Sequence, residues 1–332
     1  MVITPPTSAS ETSALKIVFM GTPQLAARIL EILLSAQRDQ LQVVAVVTRP
    51  DEPRGRGLRL QPSEVALLAE RYHLPALKPA RIKTAAFVAE LKSFAADLLV
   101  IAGYGRILPN DVLAAARIMP INIHTSLLPK FRGASPVEGT ILAGELESGV
   151  TIMRVTKRMD AGPILLQRKI SLASDDTQGS LKAKLAELGG FTLLESLTLL
   201  RRGKLTETEQ DENLATYTSP IAKEHAVIDW QADAGHIERM VRAYDPWPVA
   251  RTKLGQDELL VWRARLVTHR EERAGSTTAL PGTLVKLKPG PIVKCGEGLV
   301  ELVEVQAPGR RRMTAADFMR GRRLAEGMRL GE

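Results

Sequence analysis

What most limits how this chain can fold is a succession of short, continuous, β-branched runs interleaved with stretches of helical periodicity. KIVFM ends at Gly21-Thr22-Pro23 and gives way to QLAARILEILLSA, whose apolar residues fall on one stripe. LQVVAVVT is the next run, SEVALLAERYH and FVAELKSF are the next helices, and DLLVIAG and ARIMPINIH are further strands. Apolar runs of this kind belong in strands covered on both faces, and strands alternating with helices belong in a parallel sheet. The expected fold is therefore α/β, a Rossmann-like, mostly parallel sheet with helices on both faces. Its first turn, GTPQ, holds a single glycine rather than GxGxxG, and no acidic residue closes the second strand, which argues against a dinucleotide. GYGRIL lacks the Lys-Ser/Thr of a phosphate loop, so no ATP site is expected. In open sheets ligands bind beyond the carboxyl ends of the strands, and His124 stands at such an end.

Asn122 and His124 alternate in INIH, so in an extended strand their side chains share one face while Ile121 and Ile123 take the other. A Pro/Gly loop, SLLPKFRGASP, follows, then the alternating run GVTIMRVT, then the turn MDAG that carries Asp160. Together these residues suggest hydrogen bonding from the Asn122 amide and an imidazole held by a carboxylate, with a carbonyl between them. Asp160 would orient His124 and assist the proton transfers. Taken singly, each residue is equally what a satisfied strand end or a turn contains. Ser126, Leu127, Leu128 and Pro129 form a turn beside that strand, offering backbone groups and apolar contact to a substrate. Arg132 and Gly133 suit fixing the loop better than touching the reaction.

Downstream, LKAKLAELGGFTLLESLTLLRRG is a long helix with Asp176 or Thr177 as its cap and Gly203 as its stop. An acidic stretch leads to IDWQADAGHIERMVRAYDPWP, a helix closed by a proline-bracketed turn. ELLVWRARLV, GTLVKL, PIVKCG and GLVELVEVQ are short strands, followed by a short helix from Thr314 to Arg320, and suggest a small β-barrel. A length of 332 residues suits two domains. The expected order is a flexible N-terminal tail over 1–14, a catalytic domain over 15–205, a linker over 206–225 and a C-terminal barrel domain over 226–332.

The formal net charge is +8, and basic residues outnumber acidic ones by six in 251–332, whereas acidic residues lead by six in 206–250. This favours an acidic partner for the basic bodies. RPDEPRGRGLRLQP is too long for a simple strand-to-helix connection and sets Arg49, Arg54, Arg56 and Arg59 among glycines. Arg310, Arg311, Arg312, Arg320, Arg322 and Arg323 are candidate phosphate contacts. Trp230, Trp247 and Trp262 suit the core better than base stacking. The five His are scattered, so no metal site is expected. No run approaches the ~18 apolar residues of a membrane span, the opening residues lack a signal peptide's basic region, and Cys295 alone cannot form an intrachain disulfide. A cytoplasmic location without membrane association is expected.

NIH followed by SLLPKFRGASP and the Asp of MDAG resembles the signature of folate-dependent formyltransferases. KIVFMGTPQLAARIL, RPDEPRGRGLRLQPS, AGYGRILP, LKAKLAELGG and YDPWP resemble, in order and spacing, parts of the methionyl-tRNA formyltransferase family, and the likeness runs from Lys16 to Arg323. It implies transfer of a formyl group from the co-substrate 10-formyltetrahydrofolate to the α-amino group of methionine on initiator tRNA, with no obligate protein partner. The resemblance makes Asn122, His124 and Asp160 catalytic and gives folate to Ser126, Leu127, Leu128 and Pro129, with further pterin contact from Tyr104 to Leu108 and from Val150 to Met153. It makes the basic loop a tRNA-reading element in which Arg56, flanked by Arg54 and Arg59, enters the acceptor stem. The C-terminal barrel is implied to be OB-like. A formyltransferase for an amino sugar nucleotide or a glycinamide nucleotide would keep the catalytic residues but have no use for an Arg/Gly loop. A 10-formyltetrahydrofolate hydrolase would use water, and a silent RNA-binding module would need none of Asn122, His124 and Asp160.

Overall fold

The computed structural model describes residues 2–3, 14–37, 40–54, 57, 59–267, 278–287 and 290–332. Most of the expected N-terminal tail, and Arg56, are outside the described residues. The chain divides into two compact units, one made of 1–136, 147–171 and 182–218, the other of 137–146, 172–181 and 219–332.

The first unit is built on a sheet ordered Ile164–Ser171, Glu147–Arg154, Met119–His124, Leu98–Ala102, Leu15–Gly21, Leu41–Val47 and Ala76–Leu77. From Met119–His124 to Ala76–Leu77 every pairing is parallel, and the two strands at the other edge are antiparallel. Ile17, Val18, Phe19 and Met20 are fully buried, which is why the run KIVFM carries no polar alternation. Val18, Met20, Ala45, Val47, Leu99 and Ile101 form the core on one side of the sheet with Phe87 and Leu91 of the helix Ala85–Ser93. The helix Gln24–Ser35 buries Ile29, Leu30 and Leu33 completely, each contributing about 1.5–3 kcal/mol of transfer free energy.

Close packing of the long helix Gln178–Arg201 depends on the Gly pair of AELGGF. A Cβ at Gly190 would stand 2.9 Å from the Cβ of Ile32, so only a residue without one lets the two helices meet. Of the two expected caps, Thr177 is the one used: its Oγ1 accepts from the Ser180 amide at 3.3 Å, while Ser180 Oγ accepts from the Thr177 amide at 3.0 Å. Asp176 instead accepts the Ala173 amide at 2.8 Å.

The acidic stretch after this helix stays with the first unit as far as Thr218. Leu205–Thr206 pairs with Val2–Ile3, Thr208 exchanges backbone bonds with Ile164, and Tyr217–Thr218 runs parallel to Arg132–Gly133.

In the second unit an antiparallel sheet is ordered Ala250–Leu254, Asp257–Leu266, Leu299–Gln306, Ile292–Lys294 and Leu284–Lys286, with Met313–Thr314 beside Leu299–Gln306. The helix Ala234–Ala243 starts at Asp233, whose side chain accepts from His236, and the helix Ala315–Arg322 starts at Thr314 in the same manner. Trp230 is buried and donates its indole N–H to Thr252 at 2.9 Å. Trp247 is not a core residue: it is 49% exposed. Its place in the Asp245-Pro246-Trp247-Pro248 turn, between a helix and an edge strand, keeps it at the surface. Among the described residues no helix is long and apolar enough to cross a membrane.

Candidate active site

Met119–His124 pairs parallel with Leu98–Ala102 and antiparallel with Glu147–Arg154, placing Asn122 opposite Met153 and His124 opposite Thr151. Ile121 and Ile123 are buried on one face, so Asn122 and His124 share the other, with Asn122 half-buried and His124 buried. His124 Nε2 stands 3.0 Å from the carbonyl oxygen of Phe131. A carbonyl only accepts, so Nε2 carries a hydrogen, and Nδ1 is the ring atom left to gain or lose a proton. Asp160 Oδ2 faces that Nδ1 at 3.7 Å. The distance is long for a hydrogen bond, and it leaves the carboxylate facing the ring edge.

Asp160 is itself held in place. Its Oδ2 accepts from the amide of Gly133 at 2.8 Å, and its backbone is left-handed, with φ of 49°. That conformation costs an L-residue about 1–2 kcal/mol, and Asp is among the residues that tolerate it best. The structure thus brings His124 and Asp160 together and sets Asn122 on the same strand face.

The Ser126–Pro129 turn adjoins the strand end, but much of its hydrogen-bonding capacity is used inside the protein. Ser126 Oγ donates to Lys130 O at 2.7 Å; Thr151 Oγ1 donates to Ser126 O at 2.7 Å and accepts from the Leu128 amide at 3.1 Å. Gln167 Nε2 donates to Leu128 O at 2.8 Å. Ser126 and Leu128 are buried, whereas Leu127 and Pro129 are half-buried and can offer apolar surface. In the Tyr104–Leu108 segment, Tyr104 is buried and Ile107 exposed.

Arg132 fixes its loop. Fully buried, it uses all five N–H groups: Nε and Nη2 donate to Gln210 Oε1, Nη1 and Nη2 to Glu212, and Nη1 to the Tyr217 hydroxyl, at 2.9–3.1 Å. Glu212 also accepts from Arg158 at 2.6 Å. These two guanidinium groups, Arg132 first, hold the Glu212 carboxyl down to about 2. Gln210, Glu212, Tyr217 and Thr218 hold the Arg132 loop, and sequence reasoning missed them; no motif marks them, and only the acidity of their stretch hints at a basic partner.

The basic loop folds as a hairpin, Glu52–Arg54 against Arg59–Gln61. Arg54 pairs with Arg59 in its register, and Arg59 is exposed. In the second unit Arg310 and Arg311 are exposed. Arg312 is occupied, forming an ion pair with Glu304 and stacking 4.7 Å from the Trp262 ring centre. Among the described residues no group of three or more His, Cys, Asp or Glu could hold a metal ion.

A profile of the formyl transferase domain matches residues 15–197, and one of the formyl transferase C-terminal domain matches residues 220–323. The methionyl-tRNA formyltransferase of Methylococcus capsulatus is 43% identical over 317 residues, covering 96% of this chain and 100% of that protein. The methionyl-tRNA formyltransferase of Roseiflexus castenholzii is 45% identical over 318 residues, covering 96% and 99%. This chain belongs to the formyl transferase family. Solved structures share the family fold at low identity. An N-formyltransferase from Helicobacter canadensis, in complex with folinic acid and dTDP-3-aminofucose, has a TM-score of 0.62 at 16% identity over 89% of this chain and 99% of its own. HypX from Aquifex aeolicus in complex with tetrahydrofolic acid has a TM-score of 0.60 at 19% identity; the match covers 92% of this chain and 47% of HypX.

Within this formyl transferase the glycine after Arg132 has no substitute. Gly133 has φ of 111°, and a Cβ on it would stand 2.2 Å from Thr218 O. Gly133→Ala is expected to lower stability by about 1–3 kcal/mol from backbone strain alone, and to lower activity with it, since the Gly133 amide holds Asp160. Denaturant unfolding beside a turnover assay checks both.

Proposed function

We propose that this chain transfers the formyl group of 10-formyltetrahydrofolate to the α-amino group of the methionine carried by initiator tRNA, in the cytoplasm. The observation that carries this reading is a turn carboxylate 3.7 Å from the untethered ring nitrogen of a strand-end histidine, in a chain whose relatives, matched over nearly their full length, are methionyl-tRNA formyltransferases. Asn122 donates its amide hydrogen to the formyl oxygen as that oxygen becomes anionic, the stage at which such a donor acts most strongly. His124 works through Nδ1. The bond from the amine to the formyl carbon forms, the bond from that carbon to the folate nitrogen breaks, and the proton lost by the amine passes to the leaving nitrogen; Nδ1, backed by Asp160, is placed to carry it. Leu127 and Pro129 contribute apolar contact to the donor, while Ser126 and Leu128 keep the turn in shape.

The test is to incubate purified protein with 10-formyltetrahydrofolate and charged initiator tRNA and to look for formyl-methionine by mass spectrometry after deacylation. Formylation of an amino sugar nucleotide instead, or release of formate to water alone, overturns the reading.

Arg54, Arg56, Arg59, Arg310, Arg311 and Arg312 are assigned to tRNA, Arg312 with its charge already shared with Glu304. If these residues neutralise phosphates, KM for tRNA rises steeply with salt, with a logarithmic slope of roughly 0.7–0.9 per contact, and replacing Arg310 and Arg311 makes the slope shallower. A KM unmoved between low and physiological ionic strength would make both basic regions solubilising surfaces. Arg56→Ala is expected to damage use of charged tRNA while donor affinity, measured by calorimetry, is kept, because tRNA held by the loop brings its amine to the formyl carbon. Equal loss of both would make the loop a support of the folate pocket.

A further inference from the structure

We infer that Gln210 is a positioning residue for the reaction, holding Asp160 in register with His124; the inference rests on the catalytic reading of Asp160 above. Gln210 is buried and every hydrogen-bonding position of its amide is filled. Oε1 accepts from Arg132 Nε at 3.1 Å and Nη2 at 2.9 Å. Nε2 donates to the backbone oxygens of Asp160 and Gly162, both at 2.8 Å. The amide therefore has one allowed orientation: turned over, it would point N–H groups at a guanidinium and an oxygen at two carbonyls.

The two sides of that amide reach the two loops that decide where the Asp160 carboxylate stands. One loop carries Asp160 itself, in a left-handed backbone conformation. The other carries Arg132, whose neighbour Gly133 gives its amide to Asp160 Oδ2. Gly162 is pressed so close to the preceding strand that a Cβ would lie 1.9 Å from Arg154 O, so the turn has little room to settle elsewhere. Gln210 thus ties the bearer of the carboxylate to the residue before its hydrogen-bond donor, and fixes both relative to His124. A glutamate here would keep the acceptors for Arg132 but set an oxygen against two carbonyls.

Gln210→Glu separates the two sides of the amide. With Arg132 still satisfied and the Asp160 turn released, kcat is expected to fall about 10- to 100-fold, the range for a displacement of order 1 Å at the reacting groups, while KM for 10-formyltetrahydrofolate stays within about twofold. Gln210→Met, which loses both sides without adding charge, repeats the test if the first variant unfolds at the assay temperature. The deciding comparison is the double variant with Asp160→Ala. A residue acting through Asp160 adds no further loss once that carboxylate is gone, whereas a general support of the fold lowers kcat again. Wild-type kcat in a folded Gln210→Glu protein, or losses that multiply in the double variant, overturns the inference. Asp160→Ala alone reports on the catalytic reading: wild-type turnover there overturns the site itself, a result the Gln210 variants would not produce.

Discussion

His124→Ala and Asp160→Ala are each expected to lower kcat by about 10²- to 10³-fold, the cost of losing one group that acts on developing charge. Asn122→Ala is expected to fall in the same range. The loss is expected in kcat rather than in donor KM, because on the proposed mechanism the imidazole and its carboxylate act on charge that exists only in the transition state. The 3.7 Å gap between Nδ1 and Asp160 matters here. It is too long for a firm hydrogen bond in the resting protein, so ground-state binding should owe little to it. Steady-state kinetics with both substrates, beside thermal unfolding to show that the fold survives, check this. Near-wild-type turnover in either variant would sink the assignment.

The strands were legible because local pattern writes them. KIVFM, LQVVAVV and LLVIA lie in Leu15–Gly21, Leu41–Val47 and Leu98–Ala102, and INIH ends a buried strand with its isoleucines inward. Caps were legible to within a residue, as Thr177 shows. What stayed hidden was set by partners distant in sequence. Gln210 reaches Asp160 across 50 positions and Arg132 across 78, and no periodicity encodes such pairs. The stretch around it lacks regular apolar spacing, so it suggests a linker, although Gln210 holds the Asp160 turn. The same limit applies to the Ser126–Pro129 turn, whose backbone is engaged by Thr151 and Gln167 from antiparallel strands formed later in the chain. Trp247 follows the opposite logic: its aromatic character suggests the core, but its proline-bracketed turn keeps it exposed.

Arg132→Met is expected to destabilise the protein by about 3 kcal/mol, the low end of what removing one member of a buried charged pair costs. The low end applies because Glu212 is half exposed and regains water, whereas Gln210 is buried and loses both of its donors. Arg132→Lys recovers only part of this, since an ammonium cannot reproduce five N–H groups in a fixed fork. Acid gives an independent check. In the wild-type protein the Glu212 carboxyl is held down to about 2, chiefly by Arg132 and then by Arg158. A depressed carboxyl contributes stability that is complete above its ordinary range, near pH 4.5, and is lost as pH falls toward 2. Without Arg132 most of that contribution is absent at every pH, so the stability curves of wild type and Arg132→Met, measured by denaturant unfolding, should converge between pH 4.5 and 2. A constant gap across that window would mean that the Arg132 effect is packing and amide satisfaction alone. Activity should fall with stability in this variant, because the amide of Gln210 still holds the Asp160 turn through Nε2 but no longer ties that turn to the Arg132 loop.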